Sequence, residues 1–155
     1  MREVFLFVHP AFGVLGVLAA LWVYVEAYKL DEKRLRRMKV ASLVVAGFML
    51  LTWFSGGLWD SFFYEADRAV MEKGSWALVG DTTMELKEHL FVVVLLLALY
   101  LPILTFATDL RRDESTRLST LTVSALIVLL GLAMDGAGVI LAGSVHVGMT
   151  ALLGS

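Results

Sequence analysis

Four long apolar runs constrain this chain more than any other feature. A helix needs roughly 20 mostly apolar residues to cross a bilayer. Val4–Val25, Val40–Trp59, Leu90–Thr108 and Leu118–Val147 all meet that length. The last is longer than a bilayer requires, so it is expected to tilt or to emerge. The runs predict an all-α integral membrane protein with one domain over 1–155, folded as a four-helix up-down bundle. The helices are expected at about 4–28, 38–59, 86–108 and 116–148. The first run exceeds a signal-peptide core and lacks a small-residue cleavage site, so it is expected to remain as a span.

Composition agrees. The chain is 59% hydrophobic and 18% charged, against about 45–50% and about 25% in soluble domains. A net charge of −2, with basic residues confined to short connections, excludes a nucleic-acid partner. Cysteine is absent, which removes disulfides, thiolate metal sites, iron–sulfur clusters and covalently attached haem.

The connections 26–39 and 109–117 hold nine of the thirteen basic residues: Lys29, Lys33, Arg34, Arg36, Arg37, Lys39, Arg111, Arg112 and Arg117. Arg2, Arg68, Lys73 and Lys87 fall on the other side. Basic loops stay in the cytoplasm. Both termini and the 60–88 connection are therefore expected outside, in the cytoplasmic (inner) membrane of a prokaryote. Asp60–Lys73 reads as an amphipathic outer helix lying on the membrane, with Phe62, Phe63, Ala66, Ala69 and Val70 inward. Thr82 or Thr83 with Glu85 resembles a capping start for the third span.

Polar groups inside a bilayer are costly, which makes each a candidate for function. The three histidines are His9, His89 and His146. The expected topology sets all three near the outer face. His9 shares a helical stripe with Gly13 and Gly16, and His146 shares one with Gly131, Asp135 and Gly138. Small residues beneath a histidine either let helices pack closely or leave room for a flat cofactor. Histidines on different helices at one depth are candidate ligands for haem iron or copper. Glu85 is a candidate acceptor for the second ring nitrogen of His89. Met84 and Met149 are further candidate ligands. The small, polar stretch of Thr52, Ser55, Gly56, Gly57 and Asp60 reads as a packing notch or a cofactor wall. Tyr100 and Asp135 are expected at one depth as a buried polar pair, either interhelical glue or a proton-handling group. No phosphate loop, nucleophile elbow or metalloprotease motif is present. An electron-transfer or accessory subunit is expected rather than a stand-alone enzyme, with no catalytic residue assigned.

His9-Pro10, His89 and the run GLAMDGAGVILAGSVHVGM together resemble the small four-helix membrane b-type cytochromes. That resemblance implies one non-covalent haem b near the outer face, held by two of the three histidines. It also implies electron exchange between a quinone and a periplasmic carrier. The third histidine would meet a propionate or the quinone, and Arg2, Arg68 and Lys87 lie on the side suited to propionates. No histidine falls on the cytoplasmic side, so a second stacked haem is not expected. Two other readings use the same sequence. One is a copper-handling membrane protein. The other is a non-catalytic anchor that binds other membrane subunits and the lipid bilayer.

Overall fold

The computed structural model describes residues 2–154. It contains α1 (Arg2–Tyr28), α2 (Glu32–Trp59), a π-helical turn (Asp60–Tyr64), α3 (Glu65–Met71), α4 (Ala77–Ala107) and α5 (Glu114–Leu153). No strand occurs among the described residues. Each expected helix is present, and three begin or end well outside the expected bounds. α2 starts at Glu32 because Asp31 caps it, its carboxylate accepting the Arg34 N–H at 2.8 Å. α5 is capped in the same way by Asp113, which accepts the Thr116 N–H at 3.1 Å. α4 begins at Ala77, without a side-chain cap, so the expected start at Thr82 or Thr83 lies inside a continuous helix.

The four long helices pack in a ring in the order α1, α2, α4, α5, with α1 and α4 across one diagonal. All four are long and apolar enough to cross a membrane. Their outward faces are apolar as well: Phe7, Leu78 and Val139 are each more than 70% exposed. The main core lies between the long helices and includes Val23, Met38, Val45, Ala98, Leu101 and Ile127. Within it, the hydroxyls of Ser42 and Thr105 meet at 2.9 Å between α2 and α4, both fully buried. A hydroxyl pair of this kind satisfies two polar groups that an apolar interior would otherwise penalise.

The two tight connections define a basic end. There the buried Glu26 carboxylate accepts the Trp22 indole N–H at 3.1 Å. It also takes Arg34 Nη1 at 3.4 Å and Arg37 Nε at 3.3 Å, which ties α1 to α2. In the second turn the Asp109 carboxylate holds the Arg111 guanidinium at 2.9 Å through both oxygens. The hydrogen bonds from Arg111 lower the Asp109 carboxyl to about 2. A depressed carboxylate stabilises the fold above its unfolded value and loses that contribution as pH falls through its folded value. The α4–α5 turn is therefore expected to hold above about pH 4 and to loosen towards about pH 2. Amide exchange of residues 109–113 measured across that window checks this: protection unchanged at pH 2 refutes it.

At the distal end, the bundle leaves most of the apolar face expected to lie on the membrane uncovered. The buried residues of α3 are Asp67 and Met71, whereas Phe62 is 72% exposed and Ala66 and Ala69 are exposed. The cause is the π-helical turn. It adds a residue to one turn, so the face of everything after it rotates away from the phase of a regular helix. Met71 packs with Met84 and Leu141, flanked by Trp59, Tyr64 and Val145. α3 is seated on α5 by two glycines. A Cβ on Gly74 would lie 2.8 Å from the Gly148 nitrogen, and a Cβ on Gly148 would strike the Val70 carbonyl.

Candidate functional site

His9 enters the bundle because the α2 backbone receives it. Its Nδ1 lies 3.0 Å from the Thr52 carbonyl. A carbonyl only accepts, so Nδ1 carries the proton and Nε2 keeps a free lone pair. The ring lies against Gly56, where a Cβ would stand 2.7 Å from Cε1. Any other residue at position 56 would displace the imidazole. Gly13 sits one turn below His9, and a Cβ there would be in ordinary contact with Thr52 Cγ2 at 3.8 Å.

Lys87 of α4 lies close enough to both His9 and Asp135 for their charges to act on one another. The lysine reaches α5 beside Gly138, where a Cβ would be in ordinary contact with Nζ at 3.7 Å. Distance along the helices explains the meeting. Counted from the basic end, His9 is 19 residues from Tyr28, Lys87 is 20 from Ala107 and Asp135 is 21 from Glu114. At ~1.5 Å per residue all three stand roughly 30 Å from that end. Thr52, 20 residues into α2, is level with them. Imidazole, ammonium and carboxylate from three helices thus share one layer of the bundle.

Two expected groupings do not form. Tyr100 is only seven residues from Ala107, roughly 20 Å nearer the basic end than Asp135. It is 46% exposed, and Asp135 is exposed too, with Lys87 as its neighbouring charge. The pair is neither buried nor joined. The expectation set the distal end of α5 level with that of α4, but α5 runs further out. For the same reason His146, 32 residues along α5, stands roughly 16 Å beyond the His9 layer. It is exposed, on the stretch that carries α3.

His89 is level with His9 but faces elsewhere. It follows Lys87 by two residues, about 200° around the helix. It is exposed, and its Nδ1–H donates to the Glu85 backbone carbonyl at 2.7 Å rather than to the Glu85 carboxylate. A bis-histidine haem needs two ring nitrogens on opposite sides of one iron. The three histidines of one chain, set as they are, do not supply that pair. Among the described residues no group of three or more His, Asp or Glu gathers in the manner of a metal site.

Lys87 carries more of the site than its sequence position suggested. The available signal was its isolation as a cation on the apolar third span, opposite a carboxylate on the fourth. One turn further out lies the second unassigned feature. The Trp59 indole N–H is buried and has no hydrogen-bond partner. Gly56 and Trp59, Lys87 and Met84, and Gly138 and Leu141 are each three residues apart. The Trp59–Met84–Leu141 cluster therefore forms the layer directly above His9 and Lys87. No family model, curated protein or solved structure matches the chain.

Proposed function

We propose that this chain is an integral membrane electron-transfer subunit, with its termini and α3 on the outer side. Its working site is the His9–Lys87–Asp135 layer, and its ligand is the oxygen-bearing head group of a quinol. The observation that carries this reading is the set of unfilled hydrogen-bonding positions in one place. His9 offers a free Nε2, Lys87 an ammonium, and Trp59 an orphaned N–H one turn above. Of these only the Trp59 N–H is buried without a partner, and a buried polar group of that kind is one a polar ligand would satisfy. In such a complex His9 Nε2 accepts the hydroxyl proton of the quinol, and Lys87 stabilises the oxyanion left behind. Asp135 offsets the lysine charge. Oxidation to the quinone also releases the second hydroxyl proton, to water on the outer side, and two electrons, to the oxidised redox centre of a periplasmic carrier or a partner subunit.

A second reading, haem b, is favoured by one detail. An imidazole whose Nδ1–H is fixed by a backbone carbonyl is the usual form of a metal-ligating histidine. His9 has that form. Since His89 and His146 do not face it within the chain, the second axial ligand would come from another copy or another subunit.

One preparation tests both. The protein is purified in detergent, its redox difference spectrum is recorded, and its organic extract is analysed for quinones. The expected result is a co-purifying quinone that is reduced at least about tenfold in Lys87→Met, a loss of about 1.4 kcal/mol. A sharp cytochrome α band that is abolished in His9→Ala selects haem instead. A colourless protein with an extract free of quinone contradicts both and leaves a scaffold. The orientation is read separately: a reporter in 31–37 is expected to be active inside, and one after the last residue outside.

A further inference from the structure

At the basic end, a cleft of about 580 Å³ is lined by Tyr24, Val25, Tyr28, Lys29 and Arg34. We propose that it binds one acidic phospholipid of the inner leaflet, with the phosphate held between Lys29 and Arg34. This rests on the chain spanning a membrane and is independent of the distal site.

Charge is the first argument. Glu26 and Asp31 offset Arg34 and Arg37 around the cleft. Lys29 has no carboxylate within 4.0 Å among the described residues, and neither do Lys33 and Arg36 on the adjoining turn of α2. The Arg34 guanidinium is held at one edge by Glu26 and Asp31 and remains one-third exposed, so it is fixed in place while still able to donate. A cation that is already positioned loses little freedom when an anion arrives. Removing the excess charge by binding an anion is the complementary event.

Shape selects a lipid over a free anion. Above the cleft, α1 presents Leu18, Leu21, Val25 and Tyr28 on one stripe, all exposed. Their spacing of three, four and three residues keeps them on one side of the helix. The stripe continues from the phosphate position into the apolar zone, where an acyl chain lies. Tyr24 and Tyr28 stand at the junction, the depth at which tyrosine hydroxyls meet headgroup and glycerol oxygens. Basic pockets between helices on the cytoplasmic side are recognised sites for acidic headgroups. Inorganic phosphate would find the cations but not the stripe.

The test is lipid retention by native mass spectrometry. The full chain, purified in mild detergent, is exposed to mixed micelles of phosphatidylglycerol and phosphatidylcholine at equal concentration. Phosphatidylglycerol is expected to be retained preferentially. Lys29→Gln should reduce that preference about fivefold, the effect of one basic residue near a surface. Tyr28→Ser should reduce retention of both lipids without changing the preference. Inorganic phosphate at millimolar concentration should not compete. Equal retention of the two lipids, or an unchanged preference in Lys29→Gln, refutes the site, and full displacement by phosphate would show an anion site without a lipid. Arg34 is left intact because its loss also disturbs Glu26. Extraction into buffer without detergent would instead overturn the membrane reading itself, a separate outcome.

Discussion

Gly148→Leu should detach the distal cap while leaving the four long helices in place. At this position the nearest atoms a side chain meets are backbone: the Val70 carbonyl and the Met71 Cα on α3. Backbone has no rotamer with which to yield, so the clash cannot be relieved by a side chain turning away. Overpacking of this kind costs about 3 kcal/mol, the upper end of its usual range. Limited trypsin digestion reads the outcome, since Arg68 and Lys73 are both exposed and lie in or just after α3. The variant should be cut there at a protease level that spares the parent. Gly136→Leu is the matched control, because a Cβ at Gly136 meets nothing within 4 Å. Equal resistance of Gly148→Leu and Gly136→Leu would sink the packing argument.

Glu26→Ala is expected to be the most damaging change at the basic end. The carboxylate is 5% exposed and serves an indole and two guanidiniums at once. Its loss leaves Arg34 and Arg37 repelling each other and strands the Trp22 N–H. Breaking a buried ion pair costs about 3–5 kcal/mol. The two arginines are 32% and 46% exposed, so solvent screening brings the expected loss to about 2 kcal/mol. Glu26→Gln keeps an acceptor for Trp22 without the charge and should cost about half as much. Thermal unfolding in detergent orders the three proteins. Glu26→Ala melting with the parent would show that the network is ornamental.

The apolar runs made the four long helices legible, because a helix satisfies the backbone of an apolar stretch within itself. The cyclic order followed from two short turns and one longer crossing. Depth was not legible. The fourth run was read as ending near His146, yet α5 continues to Leu153 and carries α3 on its distal stretch. That length moved Asp135 away from Tyr100 and level with His9. The face of α3 was hidden for a different reason. A π-helical turn leaves no composition signature, and Asp60–Tyr64 reads like ordinary helix. His9 was legible as a candidate, as were Gly13 and Gly138. Lys87, which neighbours His9 and Gly138, was legible only as a cation on the outer side, since its reach across the bundle depends on a long flexible side chain.

The two turns of the basic end divide the chain into two helical hairpins, α1–α2 and α4–α5, each closed by its own capping aspartate. The polar groups of the distal layer are divided in the same way. His9 finds Thr52 inside the first hairpin, and Lys87 finds Asp135 inside the second. Each hairpin therefore holds one polar interaction of its own before the two halves meet: a hydrogen bond in the first and an attraction between opposite charges in the second. During synthesis the first emerges complete while the second is still being made. It forms carrying an imidazole that is already partnered. The second follows with its charges opposed to each other. The layer itself comes into being only when the hairpins dock, so its formation is a record that assembly has succeeded.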